Sequence, residues 1–443
     1  MNQERYIAAL EISSSKIIGA VGVYTGEGQL TVLAIEQEES NESVRYGIIQ
    51  NLEEVSLRTK RIIDKLERHA AVAPRRISGI FIGLSGRSMR SVPAEVRLNF
   101  PEEVEITDDI LDRLRNDARN TAIDTTLEIV DVVPRKYIID KIETTPPKGS
   151  IGRSITAIYD IIVCRPELKR NITRAIPDRC EIRNNGFVVT PLAAAHVILP
   201  AEEKRLGCML VDFGAETTTV SIFRKGSLQY FATLPLGSRN ITRDITTLNL
   251  LEEKAEEIKC TSGNAIARET PSTLNINGVR LSDVSNLIVA RAEEIAANVV
   301  QQIEYAGLTR KDLPAGIICI GGGAKLDGML ELLENQSGLN ARLAHLPEYI
   351  HVADARANRQ EAIQVNSLLY EAAVQSRSEC LEDPAPQELP ATGTADDIQE
   401  DLPPARRHTT RKNNAGKIAE GARNFFSRLF ARPDDDEDSS ELD

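Results

Sequence analysis

Tryptophan is absent from this 443-residue chain and aromatics make up only 4% of it, so the 41% hydrophobic content, ample for a core, is mostly aliphatic. No apolar run approaches the roughly 18 residues that a membrane-spanning helix needs. The opening residues, MNQERYIAALEI, lack the basic-then-apolar pattern of a signal peptide. Six cysteines (164, 180, 208, 260, 319 and 380) form no CxxC pair, which argues against a zinc site or a disulfide framework and for a reducing cytoplasm. Five histidines at unrelated spacings offer no metal cluster. The length implies two to four subdomains.

The net charge of −13 is unevenly placed. Segment 376–404 carries eight acids and one base, 405–432 eight bases and one acid, and 433–443 seven acids. The body, 1–375, is left at −6, which gives no reason to expect nucleic-acid binding.

Residues 5–36 read as three strands, RYIAALEI, KIIGAVGVY and QLTVLAIEQ, punctuated by Gly19, Gly22 and the turn TGEG. A helix is predicted over 52–72 from its apolar spacing, then a buried strand, ISGIFIGL, at 77–84. Residues 85–167 change character and read as an inserted small α+β unit of strands around one helix near 107–121. Three strands recur at 207–234, and helices are predicted near 238–258, 282–306, 326–335 and 358–376. Beyond 376, prolines, acids and a dearth of apolar residues predict a disordered linker to about 415.

Two stretches share one pattern. YIAALEISSSKIIGAV (6–21) and CMLVDFGAETTTVSIF (208–223) each run apolar strand, acid, apolar residue, small residue, hydroxyl residues, apolar strand, with Glu11 matching Asp212 and Ser13 matching Gly214. Small residues in such a turn let backbone N–H groups surround an anion. Hydroxyls add donors, and a carboxylate at the strand end can hold the waters of a Mg²⁺ ion. Two ordinary β-hairpins would give the same pattern. A third element, IICIGGGAKLDGM (317–329), places glycines between a buried strand and a helix, where a ligand can approach the backbone.

Together these stretches resemble the actin, sugar-kinase and heat-shock-chaperone ATPase superfamily, and within it the FtsA family of bacterial cell-division proteins. Further stretches that carry the likeness are IGLSGRSMRS (82–91), VVPRKYIID (132–140), VVTPLAAAHVIL (188–199), FATLPLGSRNITRDI (231–245) and AEEIK (255–259). The resemblance implies an α/β, actin-like two-domain ATPase fold, a duplicated mixed sheet flanked by helices, with an inserted α+β subdomain. Its first half would be 1–84 with 168–205, its insert 85–167, its second half 206–240 with 307–375, and the second half's small subdomain 241–306. Glu11, Ser13, Ser14, Ser15 and Lys16 would form the first phosphate loop, and Asp212, Gly214, Thr217 and Thr218 the second. Gly321, Gly322 and Gly323 would take the adenosine side, Glu256 and Lys259 the ribose or adenine edge. ATP and Mg²⁺ are the implied cofactors, the metal held through water by Glu11 and Asp212. The family pattern has Asp at 11, Gly at 13, 215 and 216, and an acid at 219. Here those positions are Glu11, Ser13, Ala215, Glu216 and Thr219. A negative charge at Glu216, beside the expected phosphate, leads us to expect ATP binding with at most weak hydrolysis, and no catalytic residue is assigned.

On a helical wheel the segment 416–432 gathers Ile418, Ala422, Phe425, Phe426, Leu429 and Phe430 into an apolar arc of about 140°, flanked by Arg423 and Arg432. Arg428, Lys417 and polar residues fill the other side. That pattern fits a helix lying in a membrane interface, or docking on a partner. An acidic tail, 433–443, follows. The resemblance then implies a cytoplasmic protein, peripheral on the inner face of the cell membrane at the division site. It would self-assemble into filaments and bind the C-terminal peptide of FtsZ and an anionic lipid surface. In the family that peptide docks on the small subdomain of the second half, where Arg291 is a candidate contact or an ordinary exposed arginine. A pilus-assembly adaptor and a small-molecule kinase are the competing readings.

Overall fold

The computed structural model describes residues 4–267, 275–276 and 278–383. Its body is a pair of sheets with one plan. In the first half the strand order is Leu30–Glu39, Lys16–Tyr24, Arg5–Ile12, Gly79–Leu84 and Arg183–Val189. In the second it is Ser227–Leu234, Thr218–Arg224, Cys208–Phe213, Ile317–Ile320 and Ala341–Leu343. Each half has three antiparallel strands, then two added in parallel. The registers repeat as well: Glu11 pairs with Ile18 and Asp212 with Thr219 at the corresponding rung. Strand Cys208–Phe213 is buried along its whole length and Arg5–Ile12 over its last six residues. Covered on both faces, such strands carry apolar runs instead of alternation.

Helices close over the sheets for local reasons. Leu52–Arg68 begins where the Asn51 side chain accepts the N–H groups of Glu53 and Glu54, both at 3.1 Å, and buries Val55, Thr59, Ile62 and Leu66 along one stripe. Gly19 lets it approach the hairpin, since a Cβ there would stand 2.5 Å from an Ile62 methyl carbon. The single helix expected near 238–258 is two helices, Ser238–Thr246 and Glu252–Ser262. Asn249, at φ +62° in the left-handed region, breaks them apart.

The insert comprises Arg90–Glu105, Glu128–Ile139, Ile142–Thr144 and Ile151–Cys164, with helix Asp108–Arg119 packed on them through Leu114 and Ala118. Its sheet runs on into the second half, where Arg90 pairs with Ala232. Arg135 reinforces the seam: its guanidinium meets the buried Asp160 carboxylate (Nε to Oδ2, 2.8 Å) and donates to the Gln229 carbonyl at 2.7 Å.

Two boundaries differ from the sequence reading. Residues 350–375, expected in the second half, return to the first. Ile350–Val352 pairs with Leu30–Val32, and helix Ile363–Gln375 buries its apolar residues in the first core. Residues 376–383, expected to open the linker, are packed. The Cys380 N–H reaches the Tyr6 carbonyl at 2.9 Å, and Leu381 pairs with Ile77. Two buried residues, Cys380 and Leu381, anchor a stretch whose average composition hides them. The rest of the linker, the amphipathic segment 416–432 and the acidic tail lie outside the described residues.

Candidate functional site: a cleft between two duplicated hairpins

The turns at the two strand ends share a backbone. The Ser13 N–H donates to the Lys16 carbonyl at 3.0 Å, and the Gly214 N–H to the Thr217 carbonyl at 2.9 Å. Both turns face one cleft. Arg239, from the second half, donates to the Ser14 carbonyl at 3.2 Å, and Asp212 adds to the charge that Glu11 feels.

Glu11 and Asp212 are buried, and each keeps one oxygen without a hydrogen-bond partner, Oε2 and Oδ1 respectively. The other Asp212 oxygen accepts from the Gln364 side chain. Burial first, then repulsion from Asp212, pushes Glu11 up to about 8, and Lys16 partly opposes this. Burial pushes Asp212 up to about 7. Lys16 is itself lowered by burial and steadied by Glu11 and Glu361. Two buried carboxylates, each with an unpartnered oxygen, in a desolvated cleft are suited to a hydrated divalent cation, which would stabilise the ionised form of both. The carboxylate pair is the candidate for Mg²⁺; among the described residues no group of three or more His, Cys, Asp or Glu side chains is placed to hold a metal ion.

The glycines behave differently from one another. Gly321 lies at φ +88°, and a Cβ there would stand 2.4 Å from the Phe213 carbonyl and 2.8 Å from Asp212 Oδ1. Gly323 also packs closely on Phe213, whereas around Gly322 only Glu361 comes within 4.0 Å. This loop therefore seals the strand end at Asp212 and leaves one open face. Lys325, at its end, pairs with Glu361 at 2.7 Å.

The expected hydroxyls are partly occupied. Thr218 donates to the Leu236 carbonyl at 2.7 Å, and Ser13 to the Lys16 carbonyl at 2.9 Å. Ser14 accepts the Gly47 N–H at 3.0 Å, and Ser15 lies 3.5 Å from the Ser13 hydroxyl. Glu256 and Lys259 pair at 2.7 Å, and Lys259 also reaches the Thr242 hydroxyl and the Ser238 carbonyl. They brace the two helices that border the glycine loop.

Glu216 corrects an expectation. Its charge is not left free beside a phosphate. One oxygen accepts from Arg45 Nε at 2.8 Å and Arg243 Nη2 at 2.7 Å, the other from the Tyr46 N–H at 2.7 Å, and Arg239 stands 3.7 Å away. Burial alone would raise this carboxyl; the Tyr46 N–H and the arginines overcome burial and hold it below its ordinary range. Arg45, Tyr46, Arg239, Arg243, Gln364 and Glu361 were not foreseen. The spacing of Arg239 and Arg243, four apart at the start of a helix, was the available signal. Arg291 binds Asp244 through two contacts at 2.6 and 3.0 Å and also meets Glu294.

A family model for cell division protein FtsA matches residues 209–358, and one for the SHS2 domain inserted in FtsA matches residues 86–163. Cell division protein FtsA of Porphyromonas gingivalis is 28% identical over 375 residues, which cover 82% of this chain and 78% of that protein. The chain belongs to the FtsA family. Cell division protein FtsA of Pseudomonas aeruginosa is 27% identical over 379 residues, covering 83% of this chain and 89% of its own. Among solved structures, a chain of the PilM–PilN type IV pilus biogenesis complex superposes with a TM-score of 0.58 at 17% identity, covering 83% of this chain and 98% of its own. That likeness concerns the fold, which is actin-like, with the family's characteristic insert.

Proposed function

We propose that this member of the FtsA family binds ATP with Mg²⁺ and polymerises on the inner face of the cytoplasmic membrane. There it tethers FtsZ filaments by their C-terminal peptide. The observation that carries this reading is the meeting of Glu11 and Asp212, from duplicated hairpins, in one cleft with an unpartnered oxygen on each. Ser13, Ser14, Ser15 and Lys16 would line the phosphates from one side, with Gly214, Thr217 and Thr218 opposite them. Gly321, Gly322, Gly323, Glu256 and Lys259 would border the nucleoside. The bound metal would supply positive charge to the phosphates; Glu11 and Asp212 would hold its waters. With the longer Glu at position 11 where the family pattern has Asp, hydrolysis is at most weak.

The membrane part rests on segment 416–432. Burying Phe425, Phe426, Leu429 and Phe430 would give about 1.5–3 kcal/mol each at most, and each basic residue near anionic lipid about 1 kcal/mol. Ordering some 15 residues offsets much of this at about 1 kcal/mol per residue. One tail then binds reversibly, and a filament binds by many tails at once.

The test is sedimentation with anionic liposomes and Mg-ATP, comparing the intact chain with a truncation after residue 415, each with and without FtsZ. Intact protein should pellet and carry FtsZ with it, and the truncation should stay in solution. Equal pelleting overturns the tether, and phosphorylation of a small molecule at ordinary turnover rates overturns the reading in favour of a kinase.

A further inference from the structure

Residues Val44–Arg45 and Ile48–Ile49 form a tight hairpin whose two turn residues, Tyr46 and Gly47, both have positive φ (+53° and +78°). The turn is wedged into the first half. A Cβ on Gly47 would stand 2.6 Å from the Ser85 carbonyl and 2.7 Å from Gly86 Cα, and the Arg87 N–H donates to the Tyr46 carbonyl at 3.1 Å. Its two consecutive N–H groups go to different hairpins. Gly47 donates to Ser14 Oγ of the first phosphate turn at 3.0 Å, and Tyr46 donates to Glu216 of the second at 2.7 Å.

We propose that Glu216 is a cross-cleft clamp: its carboxylate fastens the second phosphate turn to the Tyr46–Gly47 turn and Arg45 of the first half, and so limits the rate at which nucleotide leaves. This rests on the nucleotide-binding reading above. Glu216 is a positioning residue here, not a catalytic one. The clamp is complete without phosphate. Three guanidinium groups, Arg45, Arg239 and Arg243, meet three carboxylates, because Glu42 pairs with the far side of Arg45 at 2.6 Å and Glu252 with Arg239 at 3.5 Å. Arg239 also binds the Ser14 carbonyl, and its N–H donates to the Ala215 carbonyl at 2.7 Å, so the second half grips the first turn too. Only 1% of the Glu216 side chain is exposed, so water does not readily replace these partners. A glycine at position 216, as in the family pattern, has no side chain to make the contact. In this chain the halves are therefore held together by protein contacts as well as by any ligand between them.

The experiment uses the full chain and three variants, Glu216→Ala, Arg45→Ala and the double variant. Release of a fluorescent ATP analogue, chased with excess Mg-ATP, gives the off-rate. Hydrogen exchange on nucleotide-free protein gives the protection of 42–50 and 210–220. Each single variant should release nucleotide about tenfold faster. The double variant should be no faster than the faster single, since both remove one contact. Arg45→Ala, a change in the first half, should also raise exchange at 210–220 in the second. Unchanged release and exchange, or rates that multiply in the double variant, overturn the clamp. Should Glu216→Ala fail to fold, Arg45→Ala alone decides between the same outcomes. Should the intact chain bind no ATP analogue, the nucleotide reading fails, and the exchange arm still decides whether Glu216 joins the halves.

Discussion

The two hairpins of the cleft share a backbone and differ in chemistry. Both turns close with the same hydrogen bond, and both strands end in a buried acid at the same rung. The first turn then carries hydroxyls and a cation, Ser13 to Lys16. The second carries Gly214, Ala215 and an anion, Glu216, whose partners come from both halves. Duplication preserved what the backbone requires for two strands to end at a cleft. The side chains were free to diverge, and one of them became a link between the halves.

The sharpest way to break this comparison is to crowd the parallel neighbour of each acid-bearing strand, in it or at its end. Gly321→Ala puts a Cβ against the Phe213 carbonyl at φ +88° and should destabilise the protein by about 3 kcal/mol in urea unfolding. Gly83→Ala, in the matching strand of the first half, meets the Thr190 hydroxyl and a Leu368 methyl instead of backbone. Side chains can move, so the expected cost is about 1–2 kcal/mol. Equal costs would mean that the halves respond alike and that the left-handed position does not matter.

The acids give the next test. Their ordinary values are 4.5 for Glu11 and 3.8 for Asp212, and the folded protein raises them to about 8 and about 7. Between those limits the native state binds more protons than the unfolded chain. The stability that the neutral acids contribute is fully present below about pH 4 and is lost as pH rises through 7 to 8. Glu11→Gln and Asp212→Asn should each be more stable than the intact chain at pH 8, by about 1–3 kcal/mol, and should flatten the profile of urea midpoint against pH. Mg-ATP binding to the intact chain should release protons at pH 7, read by titration calorimetry in buffers of different ionisation heat. A flat profile and no proton release would remove the raised acids from the site.

Helix starts differ between the halves in the same spirit. Asn51 caps Leu52–Arg68 with its side chain, whereas Gly237 precedes Ser238–Thr246 and its N–H is bound by the Asn240 side chain at 2.9 Å. Asn51→Ala should cost about 1 kcal/mol and Asn240→Ala less, both by thermal unfolding. The smallest effect is expected at Arg291, an ion pair at the surface. Arg291→Ala should lower stability by under about 1 kcal/mol and, on the proposed reading, leave any affinity for an FtsZ C-terminal peptide, read by fluorescence anisotropy, within about twofold. A large loss of affinity would return Arg291 to the docking surface.

The repeated plan was legible because burial on both faces forces apolar strands and because a tight turn at the strand end demands small residues. Those demands act on neighbours in the chain, so YIAALEISSSK and CMLVDFGAETT showed them directly. The break at Asn249 was not legible, since a single left-handed residue barely disturbs the apolar spacing on either side. The return of 350–383 to the first half escaped for another reason: a three-residue strand and two buried residues are too short to stand out from a polar average. Local composition and periodicity thus determined most of the long strands and helices, the acids near the ends of two of those strands, and the glycine-rich loop after Ile317–Ile320. Only the tertiary structure decided that Glu216 faces Arg45, Tyr46 and Arg243 and that the charge of Asp212 bears on the buried Glu11. A carboxylate's partner is fixed by distance in space, and Glu216 lies 171 positions from Arg45 and 27 from Arg243.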